Sequence, residues 1–428
     1  ILIKMKKVIV LSAFFMGYFA NAQNIGNSPY AIYGIGDRKY ENAVDISGMG
    51  GISTAFVNDF NNRFNFQNPA GNQNFGMTSF TLEGTNENNY FSSNNQSSKS
   101  EKHSTYLSNI SFSFPISKRV KFGVNYQPYS SKSYEFLNAS DSFASRFQGS
   151  GALSSLQGAL SYHINSHFSL GIKTNYIFGK LTDLEEVTSK NVNLINGYET
   201  NTKVKNFNFT GGFVFQHKFK NDKKITLGAT YTFGGNGEAN TDYKNSTYYY
   251  LDEETKENET LIDYKKTISK NLIPEEFSVG VGYGKDAKWY ASTQFDYRRG
   301  QEIQFLGKPF PYQDAYKVSM GGWLLPNYNN FRNYFSRVIY RFGAYYEKGG
   351  LSLNPVGGIA KSINEFAVTA GASFPFENSN INKMSSLDIA IEVGKRGTTQ
   401  NNLINQSFFN LKVGLNFSDL WFRKVEFD

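Results

Sequence analysis

The chain has 428 residues, 44 Lys and Arg against 36 Asp and Glu for a formal charge of +8, no cysteine, and 16% Phe, Tyr and Trp. Without cysteine there is neither a disulfide framework nor a lipid-anchoring thiol. The positive excess forms no basic cluster and accompanies no binding motif, so it reads as solvated surface and nucleic acid is not an expected partner.

At the N-terminus, Met5, Lys6 and Lys7 precede the apolar stretch Val8 to Phe19 and the small-residue site Ala20-Asn21-Ala22. That order predicts an export signal cut before Gln23, with Ile1 to Lys4 upstream of the initiator. Lys4, Lys6 and Lys7 leave with it, so the mature charge falls by three to +5. Residues 1–22 are therefore set apart from the mature chain.

Residues 23–76 are rich in Gly, Asn and small side chains and show no strand periodicity. A helix is compatible only with Ile52 to Asn58. From residue 77 to 428 the pattern changes to about fourteen period-two runs, expected near 77–85, 104–116, 119–131, 151–163, 167–179, 204–219, 223–234, 276–285, 288–298, 314–324, 333–346, 364–375, 384–395 and 406–417. In the last run, Phe409, Leu411, Val413, Leu415 and Phe417 alternate with Asn410, Lys412, Gly414 and Asn416. Successive strand side chains face opposite sides, so each run makes one greasy and one small or polar face.

Alternation alone fits a soluble sandwich as well as a membrane barrel. The connections and the aromatic content choose between them. Turns at Ser117-Lys118, Asn165-Ser166, Asn221-Asp222 and Asp286-Ala287 are short, whereas the intervening loops 86–103, 180–203 and 235–275 are long and polar. Leu325 to Arg332 and Phe376 to Lys383 are longer than the rest of the short set. Short turns on one side, long loops on the other and an aromatic excess are the habit of outer-membrane barrels. No apolar run after the signal approaches the ~18 residues of a membrane helix. The expected fold is all-β: a transmembrane antiparallel barrel of about 14 strands with residues 23–76 as an N-terminal hatch inside the lumen.

Eight charges fall on the polar faces: Lys121, Lys173, Asp296, Arg337, Arg341, Asp388, Glu392 and Lys412. Toward lipid at mid-membrane, Lys or Arg would cost about 2–4 kcal/mol each, so all eight are assigned to the lumen. Their mixed signs suit ion pairs that grip a polar hatch, and they do not describe a uniformly greasy channel. Pro128 lies late in the third run, where its missing N–H marks either the exit of the strand from the membrane or a break in the ladder. His103, His163, His167 and His217 have no metal-ligand or catalytic spacing, and "GVGYGK" at 280–285 lacks the helix a phosphate loop needs. No enzyme activity, cofactor or metal is expected.

The segments "SPY…YGIGD" and "MGGISTAFVND…NPAG" before the strands resemble the hatch of the FadL/TodX outer-membrane transport family, in particular its Bacteroidota branch. The runs "GSGALSSLQGALSY", "YRFGAYYEKGGLSL", "EVGKRGTTQNNLI" and "FFNLKVGLNFSDLWF" continue the resemblance to the C-terminus. The resemblance implies a fourteen-stranded barrel, a hatch in which Asn68, Pro69 and Ala70 form a motif, and passage of fatty-acid-like hydrophobic molecules to a lateral opening in the wall, at Pro128. It implies outer-membrane lipid and a hydrophobic small-molecule ligand as partners. The alternative is a non-transporting barrel that serves as a subunit of a larger outer-membrane machine for protein secretion or outer-membrane protein assembly, with other outer-membrane or periplasmic proteins as partners.

Overall fold

Alternating burial runs along strand after strand in the computed structural model, but with the polarity of a soluble protein reversed. On the strand that carries Phe207, Phe209 and Phe213 these three side chains are exposed, while Asn206, Asn208 and Thr210, of the opposite parity, are buried. Apolar residues face out and polar residues face in, as a sheet surrounded by lipid requires. The structure describes residues 25–420 apart from 40–41, 61, 95–98, 190–191, 236, 253–254, 271–272, 306–307, 331, 354–360, 377–384 and 401–402. The expected export signal and cleavage site lie outside the described residues, as does most of the connection Phe376 to Lys383.

The strands in chain order are β1 Asp37–Arg38, β2 Thr78–Ser92, β3 Lys99–Pro115, β4 Val120–Ser131, β5 Tyr134–Ala139, β6 Phe143–His163 and β7 Phe168–Ser189. They continue with β8 Val192–Lys218, β9 Lys223–Thr232, β10 Glu238–Tyr250, β11 Lys256–Lys270, β12 Glu276–Lys285 and β13 Trp289–Arg298. The last are β14 Gln301–Phe305, β15 Lys308–Tyr312, β16 Ala315–Leu324, β17 Ile339–Leu353, β18 Lys361–Pro375, β19 Ser386–Gly397 and β20 Asn405–Asp419. Fourteen of them close a ring: β2, β3, β4, β6, β7, β8, β9, β12, β13, β16, β17, β18, β19 and β20, every neighbour antiparallel, with β20 returning to β2 through Thr78↔Asp419 to Ser92↔Asn405. No helix among the described residues is long and apolar enough to cross a membrane. Closure leaves the wall no edge, which is how strands can satisfy their backbone in hydrocarbon.

Two bands of rings lie on the outer surface. Tyr176 stands 5.2 Å from Phe178 and 4.6 Å from Phe207 toward one rim, and Phe168 stands 5.1 Å from Phe215 toward the other. The amphipathic bands suit the two membrane interfaces.

Several expectations need correction. The stretches read as loops at 86–103, 180–203 and 235–275 are largely strand: β2 and β3 meet between Ser92 and Lys99, β7 and β8 run on past residues 180 and 203, and β10 with β11 forms a hairpin. Beyond the hydrocarbon both strand faces are polar, so the apolar alternation fades while the ladder continues. Arg337 is not on a strand; it ends the 3-10 turn Tyr334–Arg337, which Asn333 caps by accepting from the Phe335 N–H at 3.1 Å. The strand expected at 333–346 therefore starts only at Ile339.

The segment around Ile52 to Asn58 that is compatible with a helix forms none, and an α-helical turn lies instead at Val44–Ser47. Helical hydrogen bonds at 52–58 are replaced by bonds to side chains. Gln294 Oε1 on β13 accepts from the N–H groups of Ser53 and Thr54 at 2.8 and 2.9 Å, and Tyr290 donates its hydroxyl to the Ala55 carbonyl at 2.7 Å.

Candidate functional site

Residues 25–77 carry few regular hydrogen bonds of their own, so their backbone must be satisfied elsewhere. Much of that satisfaction comes from the polar strand faces. The turn Pro69–Asn72 starts at Asn68, whose side chain accepts from the Ala70 N–H at 3.1 Å and donates to the carbonyls of Thr54 (2.6 Å) and Phe213 (3.2 Å). Pro69 and Ala70 lie against Gly171 on β7, and Asn68 against Gly212 on β8.

Glycine makes this approach possible elsewhere as well. A Cβ at Gly228 would collide with the Thr54 carbonyl, and one at Gly321 or Gly343 with the Met49 backbone. Where the backbone of the segment meets the backbone of the wall, no side chain fits between. Apolar contacts fill the remainder: Phe56 and Phe60 pack with Tyr290, Trp323 and Ile339, and Phe64 with Phe66, Phe75 and Ala159.

Ion pairs surround the segment. Arg63 pairs with Asp388 on β19 and lies 3.2 Å from Asp45, which in turn lies 4.0 Å from Arg341 on β17. Asp59 pairs with Lys224 on β9. Lys39 meets Glu87 on β2 at 2.7 Å, Asp37 meets Arg396 on β19 at 2.5 Å, and Arg38 meets Glu276 on β12 at 2.6 Å. The anchors come from strands all round the ring, so they hold the segment against the wall from several sides.

Of the eight charges assigned to the lumen, Arg341 and Asp388 belong to these links. Glu392 and Lys412 pair with each other at 3.1 Å, and Lys412 also reaches the Ser47 hydroxyl at 3.5 Å. Asp296 accepts from Gln294 Nε2 at 2.8 Å and stands opposite Lys317 in register. Lys121 donates to the Ser117 carbonyl at 3.2 Å near the short-turn rim. Lys173 is buried between its register partners Ala159 and Thr210. Arg337 sits over the Tyr328 ring, 5.2 Å from its centroid, away from the others.

The sequence reading missed Glu83, Glu87, Lys224, Glu276 and Arg396. All obey the same period-two parity. Glu87 and Arg396 fell outside the expected strand limits, and Glu276 is the first residue of its strand.

A cavity of about 350 Å³ lies between residues 35–54 and the wall. Its lining carries seven acidic side chains (Asp37, Glu87, Glu276, Asp296, Glu347, Glu365 and Glu392) and seven basic ones (Arg38, Lys39, Arg298, Arg299, Lys317, Arg396 and Lys412). Arg298 lies 3.1 Å from Glu276 and 3.7 Å from Glu347, and Arg396 lies 3.7 Å from Glu365. A chamber of balanced, cross-linked charges binds water and polar groups well and an alkyl chain poorly.

Pro128 lies where the ladder between β3 and β4 has ended. Pairing stops at Ile110↔Tyr126, and β4 shows an irregularity against β6 between Pro128 and Ser130. The opening in the ladder is covered from within the chain: Asp37 and Arg38 of β1 pair with Ser131 and Ser130, Ile35 accepts from the Ser130 hydroxyl at 2.7 Å, and the Gly26 N–H reaches Ser104 on β3 at 3.1 Å. The histidines gather no third ligand, and among the described residues no group of three or more His, Asp or Glu side chains could hold a metal.

Among solved structures, the fold is similar to the toluene transporter TodX of Pseudomonas putida (TM-score 0.57, 15% identity, 90% of this chain and 99% of that one). It is also similar to a FadL homologue of Pseudomonas aeruginosa (0.57, 13%, 88% and 97%) and to the toluene transporter TbuX of Ralstonia pickettii (0.54, 12%, 88% and 98%). At these identities the likeness is one of fold: an outer-membrane, FadL-like barrel. No curated protein sequence matches. The family model described as BamG matches residues 4–428.

Proposed function

This chain belongs to the BamG family, and we propose that it is a non-transporting outer-membrane barrel that serves as a subunit of a larger machine, of the kind that assembles outer-membrane proteins. The observation that carries this reading is the chamber of seven acidic and seven basic side chains, cross-linked to the wall by ion pairs from Asp37, Arg38 and Lys39. Each methylene of an alkyl ligand is worth about 0.8 kcal/mol only where it meets apolar surface, and this space offers little. In this reading residues 23–76 are a fixed hatch that makes the barrel a stiff body to build on. The name of the family is of the kind given to a component of an assembly.

Purification from native membranes in mild detergent tests the proposal. The expected result is a stoichiometric complex with other envelope proteins and no lipid in the lumen. A barrel that arrives alone with bound lipid overturns it.

A second reading, hatch-gated passage of hydrophobic molecules through a lateral opening, draws on one observation: the ladder between β3 and β4 stops short of Pro128. Pro128→Val restores a donor there. In that reading the substitution lowers uptake of a long-chain fatty acid at unchanged surface abundance, whereas in the subunit reading uptake is absent in both proteins.

A further inference from the structure

The wall does not end where the membrane does. β8 is 27 residues long and β7 is 22, whereas about 9–11 residues cross the hydrocarbon. Along the outer face of β8, Phe213, Phe209 and Phe207 give way to Lys205, Lys203, Asn201 and Glu199, which places the upper halves of β6, β7 and β8 outside the bilayer on the side away from the short turns. β10 pairs with this upper part of β8 and β11 pairs with β10. The other edge of β11 pairs with no strand among the described residues.

That edge is a row of backbone donors and acceptors in water. Protein edges of this length are normally bulged, charged or covered. β11 is irregular opposite Asn245/Ser246 and Thr247/Tyr249, but from Asp263 to Lys270 it is regular, pairing residue by residue with Asn245 to Glu238. In this straight part Tyr264 and Ile268 are 48% and 62% exposed on the face they share with Lys266. The side chains of Lys265 and Lys266 are 67% and 71% exposed, one on each face, with Lys265 3.1 Å from Asp263 and Lys266 3.9 Å from Asp242; exposed pairs of this kind hold weakly and leave both lysines open to further carboxylates. An apolar pair beside two lysines, on a free ladder outside the hydrocarbon, has no role in lipid.

We infer that the free edge of β11 from Asp263 to Lys270 takes an extended acidic strand of another protein in the same assembly. Main-chain hydrogen bonds give the docking, Tyr264 and Ile268 receive alternate apolar side chains, and Lys265 and Lys266 face its carboxylates. The stretch itself carries three lysines against one aspartate, so an acidic strand suits it better than a second copy of β11. The inference rests on the subunit reading above and names the surface that reading requires.

Tyr264 replaced by p-benzoylphenylalanine, irradiated in intact cells of the native host, tests it. The expected product is one adduct that mass spectrometry maps to an acidic, extended segment of another envelope protein. Lys265→Glu with Lys266→Glu should reduce its yield about tenfold, as two cross-strand pairs change from attraction to repulsion, while heat-modifiable migration of the barrel stays unchanged. An adduct between two copies of this chain, or one indifferent to charge reversal, overturns the inference. A complex that co-purifies without any adduct at Tyr264 overturns the surface and leaves the subunit reading standing. A barrel that purifies alone, with no adduct, overturns both.

Discussion

Asn68 donates from Nδ2 to the main-chain carbonyl of Phe213 at 3.2 Å, joining the N-terminal segment to a carbonyl of the barrel wall. The same side chain caps its own turn through the Ala70 N–H. The two roles separate by substitution. Asn68→Ala loses all three bonds, including a cap worth about 0.5–2 kcal/mol; Asn68→Asp keeps the accepting oxygen but turns a buried carboxylate oxygen on the two carbonyls, which costs more. Hydrogen exchange at residues 52–72 should quicken in the order wild type, Ala, Asp. Equal exchange in all three would show that the contact holds nothing.

Arg63 stands among three buried carboxylates, Asp45, Glu83 and Asp388. Removing one partner from a buried cluster leaves uncompensated charge, so Arg63→Met should cost about 3–5 kcal/mol, read as a lower midpoint in urea. Adding Asp388→Asn should recover part of the loss. A double variant as weak as the single would show that Asp388 is not the charge left stranded.

Gly343 and Gly211 offer a matched pair. A Cβ at Gly343 would meet the Met49 backbone, whereas one at Gly211 has nothing within 4 Å. Gly343→Ala should lower the melting temperature by an overpacking cost of about 1–3 kcal/mol, and Gly211→Ala should leave it unchanged. Equal effects would mean that the segment does not press on the wall at Gly343.

Val413 is exposed on the apolar face of β20, next to buried Lys412. Val413→Arg should impair assembly by about 2–4 kcal/mol, seen as loss of the heat-modifiable band. Equal folding of variant and wild type would show that this face does not meet lipid.

Deletion of Gly26 to Gly71 removes no wall strand. The shortened chain should still insert, and should conduct ions in planar bilayers where the full chain is nearly silent. Equal conductance would show that the segment does not close the barrel.

What the sequence disclosed follows from where lipid imposes a rule. At Val413 and Leu415 outward residues must be apolar and inward ones need not be, so parity is visible in the letters. That same parity placed Arg341, Asp388, Glu392 and Lys412 on inward faces. At Lys265 and Lys266 water lies on both sides, no rule operates, and β11 read as loop. The turn at Tyr334–Arg337 was hidden because "NYFSRVIY" contains no Gly or Pro to stop a strand; the cap from Asn333 was the only mark. Residues 52–58 are compatible with a helix by themselves and form none, because Gln294 and Tyr290, more than two hundred residues away, take their backbone groups.

The ring is completed by its first and last strands, since Thr78 pairs with Asp419. Until β20 has been exported, β2 keeps one whole side of its backbone unpaired, and contacts of such long sequence separation form slowly. The side chains of β2 have earlier company. Glu83 accepts from the Val44 N–H at 3.0 Å, and Glu87 binds Lys39, partners that leave the export channel before β2 itself. The N-terminal segment can thus settle on β2 while the sheet is still open, and the slow step left to the end is the approach of β20, with two unpaired edges exposed to aggregation until they meet.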